Sequence, residues 1–572
     1  MVNLTINDIT VQVEEGSTIL QAAKAAGITI PTLCAMKDIN LIGACRVCVV
    51  EVEGEERMAA ACNTPVAEGM VVRTNTPAVI RARRVNVQMI LSEHRSECTT
   101  CERMGTCALQ KLAADLHIDR LPFPAEPPAF EWDTDFPLIR DASKCIRCMR
   151  CVAECSVVQH CGVWDFTGTG AHLRVTVRDG KDIREAGCAL CGQCITHCPT
   201  GALTARNDIG KVMAALADPD TVTVIQVAPA VRSAWGEGVG LSREQATQGR
   251  MTAAMRRLGF DYVYDTDFAA DLTIMEEGSE LLEWLKEGKK RPMFTSCCPG
   301  WVRFAKLHFP EIAPQLSSSK SPHQMMGAVV KNTLPAREGI QDKRVFCVSI
   351  MPCVAKKYEC DVPQLSTEAG PDVDAVITTR EFDRMLRMFS IDCANLPEEQ
   401  FDDPLGMSTG AGTIFGRTGG VMEAALRTAA YLVTGENPDF STCDCTLATP
   451  EKPWAEKVLD LAGTEVRIAI ASGLENAAQL IEAIEAGEVD LDFVEIMACP
   501  GGCVGGGGQP IEFNSELGPE RAAVLNALDG ADTLRYSHEN PQIQQLYAEW
   551  LEKPLSETAE AWLHTDQVAW DI

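Results

Sequence analysis

The chemistry of this chain is concentrated in its cysteines, 26 among 572 residues. Cys34, Cys45, Cys48 and Cys62 are spaced C-x10-C-x2-C-x13-C. His94, Cys98, Cys101 and Cys107 follow as H-x3-C-x2-C-x5-C. Cys145, Cys148, Cys151 and Cys155 form C-x2-C-x2-C-x3-C, and Cys188, Cys191, Cys194 and Cys198 repeat it, with Pro199 next. Clustered thiols of this kind more often bind metal or do redox chemistry than pair as disulfides, at least in a reducing compartment. Three further groups close apolar runs: Cys297 and Cys298 in TSCCPGW, Cys353 in MPCVAKKYE, and Cys499 and Cys503 in MACPGGCVGGGGQP. Packing alone does not call for two thiols wrapped in glycine. Glycine lets a backbone approach another body closely, and the expectation is a backbone closed around a non-protein group.

The elements that must position these groups follow from periodicity. LTI and VQV read as a hairpin about Asn7-Asp8, followed by a helix from Thr18 to Ala26 with Gly27 behind it. From Thr221 onward, strand-like runs alternate with helices: TVTVIQV, PMFTS, RVFCVSI, VDAVITT, VRIAIA and DFVEIMA each precede a helical stretch. That alternation predicts, in a multidomain α/β protein, an α/β active-site domain with parallel sheets behind small α+β domains at the N-terminus. Ligands in such folds sit at the carboxyl ends of strands, where three of these strands carry cysteines. The expected divisions are 1–78, 79–117, 138–208, 209–515 and a helical covering segment, 516–572, punctuated by Pro541 and Pro554.

A net charge of −29 argues against nucleic acid as a partner. No run of eighteen apolar residues predicts a membrane span. The opening MVNLTINDITVQVEEG lacks the basic and apolar regions of a secretory signal, so a cytoplasmic location is expected unless a partner carries an export signal. No G-x-G-x-x-G follows a strand and opens a helix. GTIFGRTGG, near Thr413, lacks that spacing and is expected to pack near the cysteine site.

The first cysteine set resembles plant-type ferredoxins and the ferredoxin domain of complex I, which implies one 2Fe–2S cluster; its first gap is longer than the usual four residues. Structural or zinc-binding thiols are the alternative. His94 with Cys98, Cys101 and Cys107 suits a 4Fe–4S cluster with one nitrogen ligand, and zinc would accept the same set. The repeated runs are the bacterial two-cluster ferredoxin pattern, in which the fourth cysteine of each run serves the other cluster. Cys145, Cys148, Cys151 and Cys198 are therefore expected on one 4Fe–4S cluster, and Cys155, Cys188, Cys191 and Cys194 on the other. Cys161, Cys347, Cys360, Cys393, Cys443 and Cys445 have no evident role.

TSCCPGW, MPCVAKKYE and MACPGGCVGGGGQP are similar, in order and spacing, to the three signature segments of the FeFe hydrogenases. The resemblance extends over 1–515 and more weakly over the tail, which resembles the hydrogenase small subunit. It implies an H-cluster, a 4Fe–4S cubane joined to a two-iron unit bearing CO, cyanide and a dithiolate. Cys298, Cys353, Cys499 and Cys503 would hold the cubane, with Cys503 bridging to the two-iron unit. The implied reaction is reversible interconversion of H2 with protons and electrons. The resemblance makes Cys297 the proton relay, continued by Glu277, Ser317 and Glu280; the two carboxylates, three apart, share a helix face. Lys356 would contact a cyanide ligand, and Ala228, Pro229 and Met351 would line the pocket. His323 stands where relatives often have glutamine, ahead of Gln324, and is expected to donate a hydrogen bond or to titrate near neutral pH. Trp284 replaces an arginine of close relatives, so the solvent exit of the proton path is expected to differ.

The implied partners are H2 and protons, maturation proteins, and either ferredoxin or a flavin- and NAD(P)-binding subunit. A non-catalytic hydrogen sensor and an electron-transfer subunit of a larger redox complex are the competing readings. The motifs after residue 210, with Cys297, Glu277, Ser317 and Lys356 all present, favour the enzyme.

Overall fold

The structure, a computed structural model, describes residues 1–123, 127–128, 130–445, 453–461, 463–570 and 572. Asn7 and Asp8 both take positive φ, as a two-residue hairpin turn requires. They join Val2–Ile6 to Ile9–Val13. The expected helix spans Ile19–Ala25, with Thr18 and Gln21 forming a capping box. Val49–Val52, Ala59–Ala60 and Val71–Arg73 complete a five-stranded sheet whose core includes Leu4, Ile6, Ile19 and Val72.

In the larger domain, one sheet is wholly parallel, in the order Tyr262–Asp265, Thr221–Val227, Arg344–Met351, Ala375–Thr378. All seven residues of Thr221–Val227 are buried. Covered on both faces, the strand buries Thr221, Thr223 and Gln226 as well as its apolar residues. The second sheet is parallel but for one edge strand. Met293–Phe294, Phe493–Met497 and Thr464–Ser472 are parallel, but Trp454–Leu461 runs antiparallel along the edge. It returns directly into its neighbour, which only an antiparallel pair allows. The expected strand PMFTS contributes just Met293–Phe294.

The 22-residue helix Thr266–Glu287 starts on an Asp265 cap and stops at Gly288, in the left-handed region. It carries Glu277 and Glu280, as their spacing predicts. Behind it, Phe268 and Leu272 share a core with Met325 and Val329 of helix Pro322–Glu338 and with Ile543, Leu546, Leu551 and Leu563 of the tail. The tail is helical over Gly518–Ala531, Pro541–Leu546 and Glu557–Leu563. Among the described residues no helix is long and apolar enough to cross a membrane.

Candidate active site and cluster cavities

The carboxyl ends of the larger domain's two four-stranded sheets face one cavity. Ala228 and Pro229 follow Thr221–Val227, and Met351 ends its strand; all three line the cavity, with Cys297, Cys298, Cys353 and Cys503 opposite. Cys298 caps helix Pro299–His308, and Cys503 opens a short turn. Cys499 is buried beside them, its thiol within the field of Cys353, Cys298 and Cys503. Burial pushes the Cys353 thiol up to about 12. Such a thiol is not ionised by the protein alone and becomes a thiolate when a metal takes the proton's place.

Lys356 Nζ donates to the Cys297 carbonyl at 3.1 Å and pairs with Glu359 at 2.9 Å. His323 lines the cavity, with Nδ1 3.0 Å from Ser349 Oγ and Nε2 on Glu359. Burial and the Lys356 charge hold His323 down at about 4, so it is neutral at pH 7; the expectation of titration near neutrality is corrected. Despite the cost of burial, Lys356 and His323 hold Glu359 down at about 2. Gln324 is not in the lining, yet it is buried with neither amide atom partnered. A fixed ammonium beside four thiols suits an anionic, metal-bearing occupant.

The expected proton path is partly connected. Burial, above all, pushes the Cys297 thiol well up, and the Glu277 charge adds to it. Glu277 is fully buried and neither oxygen has a hydrogen-bond partner; burial and the neighbouring Glu280 raise its carboxyl to about 8. Ser317 Oγ donates to Glu280 Oε2 at 2.6 Å rather than to Glu277. Trp284 is buried, its indole N–H donated to the Lys290 carbonyl at 3.0 Å. Sequence reasoning missed Ser318, His564 and Glu276, which join this network across separations no local motif signals.

The accessory thiols of the repeated runs line two cavities. One cavity is lined by Cys145, Cys148, Cys151 and Cys198, another by Cys155, Cys188, Cys191 and Cys194. Cys161 also lines the second, its thiol against Cys155. Near the N-terminus Cys34 contacts Cys45 and Cys62, and Cys48 contacts Cys62. His94 Nδ1 lies 3.1 Å from the Lys144 carbonyl, a bond that fixes the tautomer in which Nε2 carries the free lone pair. Cys98, Cys101 and Cys107 are partly exposed, and Cys107 Sγ lies 3.7 Å from the Pro199 carbonyl. Among the described residues no three His, Cys, Asp or Glu side chains could hold a single metal ion. The thiols surround cavities instead, which suits clusters.

Two glycines of MACPGGCVGGGGQP have a further cause in the fold itself. A Cβ on Gly506 would meet the Pro352 carbonyl at 2.2 Å, and one on Gly507 would meet Gly192 Cα at 2.7 Å. They admit protein backbone, and so clamp the Cys191 cavity to the Cys353 site. Gln193 Nε2 adds a bond to the Gly505 carbonyl at 2.9 Å, and Cys499 Sγ lies 3.7 Å from the Cys191 carbonyl. GTIFGRTGG does reach the site: Phe415 and Gly416 line the cavity.

Comparison with known proteins agrees with this geometry. Residues 221–507 match the C-terminal domain of the iron-only hydrogenase large subunit, and 517–569 match the iron hydrogenase small subunit. Residues 1–77 match a 2Fe–2S cluster-binding domain, and 83–122 the iron–sulfur binding region of NADH-ubiquinone oxidoreductase G. The chain is 47% identical to the NADP-reducing hydrogenase subunit HndD of Solidesulfovibrio fructosivorans, over 99% of this chain and 98% of that protein. It is 35% identical to iron hydrogenase 1 of Clostridium pasteurianum, over 99% of each. Among solved structures, apo [FeFe]-hydrogenase HydA1 from Chlamydomonas reinhardtii aligns with a TM-score of 0.57 at 41% identity, covering 63% of this chain and 98% of that one. The chain belongs to the iron-only hydrogenase family and is an FeFe hydrogenase, an oxidoreductase acting on H2, with accessory iron–sulfur domains.

Proposed function

We propose that this hydrogenase exchanges electrons with an NAD(P)-linked partner subunit through a branched series of clusters, and protons through Cys297. Cys298, Cys353, Cys499 and Cys503 would hold the H-cluster, which supplies the iron centre at which H2 is made or split. Lys356 offers an ammonium to an anionic ligand, while Ala228, Pro229 and Met351 keep the cavity apolar and exclude bulk water. Cys297 and Glu277 are both protonated at pH 7, so each can give a proton and take one back. Ser317 and Glu280 continue the path outward.

The observation that carries the electron route is a pair of junctions on the Cys145–Cys198 cavity. Asn40 Nδ2 donates both to the Cys34 carbonyl, at 2.8 Å, and to the Cys148 carbonyl, at 2.9 Å. On the other side Arg103 donates to the Cys198 carbonyl at 3.2 Å, and Gly201 packs against Cys101. One 2Fe–2S cluster on Cys34, Cys45, Cys48 and Cys62, and one 4Fe–4S cluster on His94, Cys98, Cys101 and Cys107, thus feed the same pair of 4Fe–4S clusters. That pair abuts the active site at Gly192 and Gly507. Two ports suit a subunit of a larger assembly. The NADP-reducing relative supports the partner's chemistry, and a ferredoxin is the alternative. Twenty-six free cysteines support a reducing, cytoplasmic setting.

The test is anaerobic hydrogen evolution from reduced methyl viologen, with and without the matured two-iron unit, beside Cys297→Ala. Activity that needs the unit and collapses in the variant supports the reading. An infrared CO/cyanide signature without activity points to a sensor. Hydrogen-dependent NADP+ reduction should appear only when a flavin-bearing subunit is added; equal rates with ferredoxin alone would remove that partner.

A further inference from the structure

Glu280 is tied to two serines, and one of them leads into the C-terminal segment. The Ser318 backbone N–H and Oγ both donate to Glu280 Oε1 at 2.9 Å. On its other side Ser318 Oγ lies 2.8 Å from His564 Nδ1. A serine hydroxyl has one proton. With that proton on Glu280, the bond to His564 must come from the ring, as Nδ1–H to Oγ. His564 Nε2 faces Glu276 Oε2 at 3.0 Å. Glu276 is fully buried and also accepts from the Tyr547 hydroxyl and the Leu555 N–H. With a hydroxyl oxygen at one nitrogen and a carboxylate at the other, the ring sits in a cradle for an imidazolium. Burial opposes the charge, but the Glu276 hydrogen bond and the charges of Glu276, Glu280 and the exposed Glu560 outweigh it and raise the ring's pKa.

The backbone holds this junction in register. Ser319 and His564 form an antiparallel bridge, flanked by Lys320 N to the Leu563 carbonyl at 2.7 Å and Thr565 N to the Ser318 carbonyl at 2.8 Å. Meanwhile the next helical position beyond Glu280 on the same face is closed. Trp284 is buried and its only polar atom is spent on Lys290; an indole N–H donates and cannot accept a proton to pass on.

We propose that His564 is the outer proton relay of this hydrogenase, acting on Glu280 through Ser318 Oγ, so that the C-terminal segment completes the proton path. This rests on the Cys297–Glu277–Glu280 path proposed above. Inward, His564 Nδ1 gives its proton to Ser318 Oγ as Ser318 gives its own to Glu280 Oε1. One proton crosses, only N–H and O–H bonds exchange, and His564 is left neutral with its remaining proton on Nε2 facing Glu276, until a proton returned to Nδ1 recharges it. Outward transfer is the reverse.

The test compares wild type, His564→Gln, His564→Ala and Ser318→Ala, each loaded with the same iron content, for viologen-driven hydrogen evolution across pH. Ser318→Ala keeps every backbone bond of the junction, so its effect is not one of misfolding. The variants should fall about tenfold or more, most at high pH where free protons are scarce. Imidazole should restore His564→Ala but not Cys297→Ala. A second measurement needs no two-iron unit: histidine NMR on carbon-13-labelled protein lacking it. The resonance missing from His564→Gln should titrate above the ordinary imidazole value and move down in Glu276→Gln. Wild-type rates in His564→Gln and Ser318→Ala at every pH would show that Glu280 exchanges with solvent directly and overturn the proposal. So would a His564 that titrates at or below the ordinary value. A wild type inactive toward hydrogen sinks the hydrogenase reading instead, and the NMR titration still decides whether the ring carries the charge.

Discussion

Glu277 is the group whose behaviour the structure determines most sharply. Its carboxyl is fully buried with neither oxygen hydrogen-bonded, and its pKa stands at about 8 against 4.5 for the free side chain. The difference, 8 − 4.5, corresponds to about 5 kcal/mol against the ionised form at 1.36 kcal/mol per pKa unit. The folded state therefore holds a proton that the unfolded chain gives up between about pH 4.5 and 8. In that window stability falls as pH rises, and above it the full penalty is present. Glu277→Gln keeps the shape and removes the charge. Relative to wild type, the variant should gain about 3 kcal/mol in going from pH 6 to pH 9, since only the interval up to 8 contributes. The assay is thermal unfolding of the catalytic region at both pH values, with infrared detection of the protonated carboxyl band in the folded protein. That band should be lost through about pH 8, be absent in Glu277→Gln, and shift to lower pH in Glu280→Gln, because the Glu280 charge is part of the cause. A band that titrates near 4.5, or that ignores Glu280→Gln, refutes the desolvated-carboxyl reasoning and the proton-holding role with it.

Three further outcomes are expected. Cys198→Ser should perturb the cluster of Cys145, Cys148 and Cys151, and Cys155→Ser that of Cys188, Cys191 and Cys194; electron paramagnetic resonance on the two variants checks this, and a reversed pattern contradicts the cavity assignments. Gly507→Ala puts a methyl 2.7 Å from both the Cys191 carbonyl and Gly192 Cα; backbone must shift, at about 1–3 kcal/mol, and electron delivery from the accessory clusters should slow while the active-site infrared spectrum stays unchanged. Lys356→Ala takes the ammonium from buried Glu359 and leaves it only the His323 imidazole, so stability should drop by up to about 3–5 kcal/mol, and the double variant Lys356→Ala/Glu359→Gln should recover much of it in denaturant unfolding.

Much of this protein was legible in its residues because the signals are local. Cluster ligands recur at two- and three-residue intervals, a hairpin needs Asn7-Asp8 at its turn, and apolar runs ending in Cys297, Cys353 and Cys499 mark strand ends. The exchange of Cys198 and Cys155 between cavities also follows from the repeated spacing. What only the tertiary structure decided depends on burial and on distant partners. Gly506 and Gly507 lie against Pro352 and Gly192, contacts that no local reading can name. His323 is neutral because it is buried with Lys356 beside it, and Glu277 holds its proton because burial and Glu280 outweigh the nearby Ser317 and Ser296 groups. Trp454–Leu461 lies antiparallel because its chain turns straight back on its neighbour. His564 is 246 residues from Ser318; only the docking of the C-terminal segment on the 317–320 stretch brings an imidazole to the proton path.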